Sequence, residues 1–157
     1  MSDTPIHEVM QAYADDAVTY AKNKFGIVLD YSEQSLVNVD ALLSAMTSQG
    51  LLTKDELSAE QQDGIWTLCN VFGGYVGAVI IKHIGGQWEA ETRSEGSTNI
   101  KLKVANRITA SLPEKVWKRL TESEEDMIIG YYRCLQHILG LTPFEPKELK
   151  KAWWKVW

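Results

Sequence analysis

The sequence predicts an α+β fold: a helical layer packed against a small antiparallel sheet that contains a central hairpin. Three observations predict it. Apolar residues recur every three or four positions over residues 6–24, 36–46, 65–83 and 116–138, the spacing of one helix face. Between the third and fourth of these stretches the period drops to two on either side of Gly96, which is the pattern of a hairpin with one solvated face. The order of elements lacks the β-α-β alternation that a doubly wound parallel sheet requires.

The first helix is expected over residues 6–24, with Ile6, Val9, Met10, Tyr13, Ala17, Tyr20 and Ala21 on its apolar face and Gly26 ending it. Ile27, Val28 and Leu29 form an extended run too short to define a strand. Asp30 reads as the cap of a second helix, with Glu33 three residues later completing a capping box. Leu36, Val39, Leu43 and Met46 form that helix's stripe, and Gly50 ends it. Ser58 and Gln61 open the third and longest helix with another capping box. Its broad apolar face runs from Ile65 to His83, and a second face carries Asn70, Gly73, Gly74 and Gly77. Each glycine costs a helix about 1 kcal/mol relative to alanine, so the cluster predicts close approach of another backbone, or else a ligand lying on that face. No Lys-Ser/Thr follows the glycines, which separates them from a phosphate-binding loop.

Gly85 and Gly86 close the helix. Trp88, Ala90 and Thr92 then alternate with polar neighbours, as do Ile100, Leu102 and Val104, and Glu89 and Glu91 are expected opposite Lys101 and Lys103. Ile108 begins a third short strand or an irregular crossing. Ser111, Pro113 and Glu114 announce the fourth helix, with Val116, Trp117 and Leu120 buried. Thr121 and Glu124 repeat the capping pattern before a fifth helix that reaches about Leu139, buries Met127, Ile128, Tyr131, Leu135 and Ile138, and stops at Gly140.

At 157 residues the chain reads as a single α+β domain over residues 1–144, followed by a basic, tryptophan-rich tail at 145–157. That length buries a core without disulfides or metal. Cys69 and Cys134 both sit in apolar runs and read as small core residues of a reducing compartment. The acidic N-terminus lacks the pattern of a signal peptide. The stretch Ile65–Ile84 is expected to fall short of a membrane span because it contains Asn70, Lys82, His83 and three glycines. Together these features predict a cytoplasmic protein.

Charge is uneven. Residues 1–65 carry 11 acidic and 3 basic side chains, a net charge of -8, whereas the whole chain is at -5. An acidic surface repels nucleic acid and attracts a basic protein partner. Asp15, Asp16, Asp55 and Glu56 are the candidate binding residues. In the tail, Leu149, Trp153 and Val156 share a helical face beside Lys150, Lys151 and Lys155, which predicts packing onto the domain or a homodimer contact with a second copy.

No catalytic constellation is legible. His7, His83 and His137 share no metal-ligand spacing with the cysteines or acids, so no metal and no cofactor is expected. Apolar neighbours raise a thiol pKa, which argues against either cysteine as a nucleophile. Asp40 falls beside the apolar stripe of the second helix and calls for a salt bridge or hydrogen-bond partner.

Leu29-Asp30-Tyr31-Ser32, followed by Ser35 and Asp40, then Gly73-Gly74-Tyr75-Val76-Gly77 and Gly85-Gly86-Gln87-Trp88, resemble motifs of small, poorly characterised bacterial proteins. These form domain-of-unknown-function families in which a Leu-Asp-Tyr-Ser segment precedes a Gly-x-Tyr-x-Gly helix and a Gly-Gly-x-Trp strand. The resemblance covers about residues 20–140; Ala78 stands where the group commonly has a glutamate. It implies that Asp30, Ser35, Asp40, Gly73, Tyr75, Gly77, Gly86 and Trp88 are structural motif residues. Some members lie near secreted toxins as immunity proteins, so it implies a non-catalytic protein-binding role, with a basic protein or toxin as partner. The alternatives are a small hydrolase-like enzyme whose site assembles only in space, and a structural or regulatory domain.

Overall fold

The structure, a computed structural model, describes residues 4–47, 58–92, 94, 96, 98–121 and 127–147. It is an α+β fold of five helices and a three-stranded antiparallel sheet among those residues: α1 (Ile6–Phe25), α2 (Ser35–Thr47), α3 (Ala59–His83), β1 (Gly86–Thr92), β2 (Thr98–Val104), β3 (Ile108–Ala110), α4 (Leu112–Thr121) and α5 (Ile128–Ile138). The strands lie in the order β1-β2-β3. Asp55 and Glu56, the end of the second helix at Gly50, Glu124 and the tail residues from 148 onward lie outside the described residues; Thr121, expected to cap the fifth helix, is instead the last residue of α4, its hydroxyl donating to the Trp117 carbonyl, and Met127 stands at the cap of α5.

α3 is the centre of the molecule. It packs along α1 on one side and α4 on the other, and it touches β1 and β2 at its C-terminal half. Its start is the expected capping box: the Ser58 hydroxyl accepts from the Gln61 amide at 3.1 Å, and the Gln61 side chain accepts from the Ser58 amide at 2.9 Å. Both faces are covered, since Gly73, Gly74 and Gly77 are buried along with Phe72, Tyr75, Val76 and Ile80. By length and composition α3 does meet the requirement for crossing a membrane, with a mean hydropathy of 1.6 over its best window, and 61% of that window is buried within the fold. This corrects the expectation for Ile65–Ile84: the window mean absorbs isolated polar and glycine positions. A helix buried at the core of a fold meets the same requirement.

The glycines set how closely neighbours approach α3. A Cβ at Gly73 would lie 2.9 Å from the Pro113 nitrogen, at the start of α4. One at Gly74 would lie 2.9 Å from the Met10 carbonyl oxygen, in α1. At Gly77 the neighbour is not a backbone but the Trp88 indole, whose Cζ2 would be 2.1 Å away. The glycine face is therefore filled by protein on three sides.

The hairpin register pairs Glu89 with Lys101 as expected, but Glu91 faces Asn99, and Lys103 faces Gln87. Gly86 lets the strands close up, because a Cβ there would meet the Lys103 carbonyl at 3.0 Å. Ile108 does begin a strand, with Val104 opposite Ile108.

Two expectations at the ends of helices are corrected. Asp30 does not cap α2, and Glu33 closes no capping box. The Asp30 carboxylate accepts the amide and hydroxyl of Ser32 at 3.1 and 2.6 Å, and the Ser32 hydroxyl in turn accepts the Ser35 amide at 3.1 Å. A tight turn thus separates the acid from the helix, and Glu33 reaches α5, where it accepts from Tyr132 and from Gln136. In α5 the buried face is Ile128, Ile129, Tyr132, Leu135 and Gln136. Met127 and Ile138 are exposed, Tyr131 is half-buried, and Cys134 is exposed rather than in the core. The face is turned because α5 docks on α2 through polar anchors, which hydrophobic periodicity does not register.

The strongest of those anchors is Asp40, 2% exposed. Its carboxylate accepts the Ile128 and Ile129 amides at 2.7 and 2.9 Å, capping α5 from a different helix. Arg119 of α4, 1% exposed, places Nε 3.7 Å from the same carboxylate and donates to the Asp40 carbonyl and the Ser44 hydroxyl. Burial raises the Asp40 carboxyl above its usual range, and the two amides and the Arg119 charge oppose that rise.

Candidate functional site

Polar side chains from α1, the Leu29–Ser35 loop and α3 meet at one surface of the molecule. The loop carries Tyr31 at φ +64, a left-handed conformation that is uncommon for a residue with a bulky side chain. Three contacts hold it there. The Tyr31 amide donates to the Tyr75 hydroxyl at 2.8 Å, the His83 ring nitrogen Nε2 lies 3.0 Å from the Tyr31 carbonyl oxygen, and the two tyrosine rings lie 5.0 Å apart. Since a carbonyl only accepts, Nε2 of His83 carries the proton. The Tyr75 hydroxyl also bonds the Ser35 hydroxyl at 2.6 Å, at the first residue of α2. Tyr75 thus ties the loop and α2 to the core helix from one atom.

The strained backbone aims the Tyr31 ring at α1. Its hydroxyl donates to the Asp15 carboxylate at 3.1 Å and meets the Gln11 amide at 3.5 Å, while Gln11 also donates to Asp15 at 3.1 Å. Burial, and then the hydrogen bond to Asp15, push the Tyr31 phenol up to about 12. Asp30, exposed at the rim, is held below the usual carboxylate range by the two bonds from Ser32, with a smaller contribution from the charge of Lys82.

Next to this cluster a groove of about 490 Å³ runs between α1 and α3. Glu8 and Gln11 line it from α1, Ala78 and Lys82 from α3, and Trp88 from β1. Gln11 belongs to both the groove and the Tyr31 cluster, and Lys82 links the groove to Asp30. Two of the motif segments therefore meet in the groove lining, Gly74 and Ala78 from α3 and Trp88 from β1, and the segment that carries Asp30 and Tyr31 is joined to it through the Tyr31–Gln11 contact.

The expected site residues divide accordingly. Asp15 and Asp30 lie at this surface; Asp16 is exposed on the same helix as Asp15. Ser35 and Tyr75 support it from beneath. Gly77 and Trp88 form the α3–β1 junction, Gly73 the α3–α4 junction, and Gly86 the strand pairing; Asp40 lies apart, between α2 and α5. Four contributors were not singled out by sequence: Gln11, Tyr31, Lys82 and His83. The available signal was the Tyr31 position inside the Leu-Asp-Tyr-Ser segment. In the sequence His83 shows only as the last residue of the apolar face of the third helix.

Cys69 is buried, and burial pushes its thiol up to about 12, an inert state for a nucleophile. Among the described residues no three His, Cys, Asp or Glu side chains gather in a way that could hold a metal ion. Comparison with protein-family models, with curated proteins and with solved structures returned no match.

Proposed function

We propose that this chain is a non-catalytic protein-binding domain that takes a basic partner on the groove between α1 and α3, and that its role is that of an immunity protein masking a basic toxin. The observation that carries this reading is the Asp15–Tyr31–Gln11 cluster, which adjoins the groove through Gln11. A phenol held by a carboxylate, an exposed acid at the rim and an indole in the floor suit an incoming lysine or arginine: the aliphatic stem lies on apolar surface while the cation meets carboxylates. The rigid placement of Tyr31 removes ordering cost from binding. The net charge of -8 over residues 1–65 steers a basic protein toward this face and speeds encounter at low salt.

Selection of a random peptide library on the folded chain tests the proposal. Enrichment of lysine- and arginine-bearing peptides, abolished when Glu8, Asp15 and Asp16 are changed to lysine, supports it. Peptides without a basic bias, or a basic set that survives the reversal, overturn it.

A further inference from the structure

We propose that a second site, at the junction of α3, α4 and β2, binds a neutral saccharide, with one pyranose ring beside Trp66 and the next beside Lys118 and Tyr131. It shares no lining residue with the α1–α3 groove and stands whether or not that groove takes a basic partner.

Packing makes the site. Gly73 admits Pro113, so α4 starts one helical turn from Asn70 of α3, the polar residue that shares a face with the glycines. One turn away along each helix, Trp66 of α3 and Trp117 of α4 stack in parallel, with ring centroids 4.5 Å apart and planes 1° off. Both indoles are half-buried, and each fixes the plane of the other, so the platform is ordered before a ligand arrives. The start of β2 closes the third side. The result is a cavity of about 290 Å³ whose lining includes Trp66, Asn70, Thr98, Asn99, Ser111 and Glu114. That is the lower limit of small-molecule sites and suits a single ring. A second cavity of about 290 Å³ shares Ser111 and Glu114 with the first and continues to Lys115, Lys118 and Tyr131, which gives room for a second ring.

Four of the lining side chains, Asn70, Asn99, Ser111 and Glu114, bond no other group among the described residues. They come from three sides and offer donors as well as acceptors. A ligand that satisfies them needs hydroxyls around its rim, and next to Trp66 it needs an apolar C–H surface; a pyranose has both. Charge narrows the class. Glu114 repels an anion from the first cavity, whose lining holds no cation. Lys115 and Lys118, lining the second cavity with Glu114, offset that acid's pull on an incoming cation. A neutral ligand meets neither penalty.

The test uses the full chain, isotope-enriched. It is titrated with the methyl glycosides of glucose, galactose, mannose and N-acetylglucosamine, then with cellobiose, lactose, mannobiose and chitobiose, and separately with adenosine and uridine as neutral planar ligands. The proposal predicts saturable shifts of the Trp66 indole N–H and of the Asn70 and Asn99 side-chain amides with at least one sugar, at a Kd of about 1 mM for a single ring. The matching disaccharide should bind about tenfold more tightly and also move the Tyr131 ring signals. Asn70→Ala should weaken binding about three- to tenfold at an unchanged Tm, because that side chain bonds no other described group. Asn99→Ala should do the same, so the test does not depend on one variant. The absence of a saturable shift at Trp66 with every sugar of the panel overturns the proposal. So do shifts there with a nucleoside and no sugar, or an affinity untouched by both substitutions.

Discussion

Replacing Gly77 with alanine puts the packing of α3 on the sheet to a direct test. The added Cβ would lie 2.1 Å from Cζ2 and 2.5 Å from Cη2 of Trp88, whereas carbon atoms in contact sit about 3.5–4.0 Å apart. The indole must therefore retreat by about 1.5 Å. It has little room, because Trp88 is itself buried and pairs across the strands with Leu102, which is fully buried. If the ring shifts in place, overpacking costs about 1–3 kcal/mol; if it is expelled, the loss approaches the about 3–5 kcal/mol of a tryptophan truncation. Alanine's better helix propensity returns about 1 kcal/mol. The net destabilisation is about 0–4 kcal/mol, which lowers the Tm of a chain this size by up to about 16 °C. Gly64 is the control: it lies in the same helix, and a Cβ there meets nothing within 4 Å, so Gly64→Ala should raise the Tm. In a Trp88→Ala background, Gly77→Ala should cease to destabilise. Thermal melts of the four variants decide the matter. A Tm for Gly77→Ala raised as much as that of Gly64→Ala in the native background would refute the close α3–β1 packing, and with it the place of Trp88 beside Gly77.

Three further outcomes are expected. Tyr75→Phe removes the hydroxyl that holds the Tyr31 amide and Ser35 and should cost about 1–2 kcal/mol in a urea melt, with the Tyr31 amide becoming fast in hydrogen exchange. Asp40→Ala strips the buried acceptor of two α5 amides and leaves Arg119 buried without its counter-charge; breaking such a pair costs about 3–5 kcal/mol, read as a lower urea midpoint. In a carbon-13 titration of the tyrosine ring signals, Tyr31 should titrate at about 12, against 10.0 for an unperturbed phenol. Its folded pKa is raised, so its contribution to stability is fully present below pH 10 and is lost as the pH rises through about 12. Asp15→Asn should bring that titration down part of the way, since burial is the larger cause.

The elements were legible because each follows from a local pattern. The Ser58–Gln61 capping box, the switch to period two after Gly86 and the stop at Gly140, whose φ is +75, are written in neighbouring residues. Errors arose where a distant partner decides. Asp30 has the spacing of a helix cap, but Ser32 lies closer and takes its carboxylate first. α5 looks amphipathic about Tyr131 and Ile138, yet Asp40 and Glu33 reach it from α2 and from the loop before it, and they turn Tyr132 and Gln136 inward. No sequence pattern singles out Arg119; only the demand of buried Asp40 for a partner calls for a cation there. The groove was the least legible feature, because it exists only when Gly74 admits the α1 backbone and Gly77 admits Trp88. The sequence showed that the glycines have neighbours but not which ones.

The claim that the α1–α3 face is a binding surface for a basic protein is tested most directly by chemical-shift mapping of the full chain with a lysine- or arginine-bearing peptide obtained by selection. The account predicts saturable shifts at Gln11, Asp15, Tyr31, Lys82 and the Trp88 indole, with an affinity that weakens steeply as salt rises. Saturable shifts confined to another surface, such as the hairpin around Gly96 or the exposed side of α5 around Cys134, would contradict it.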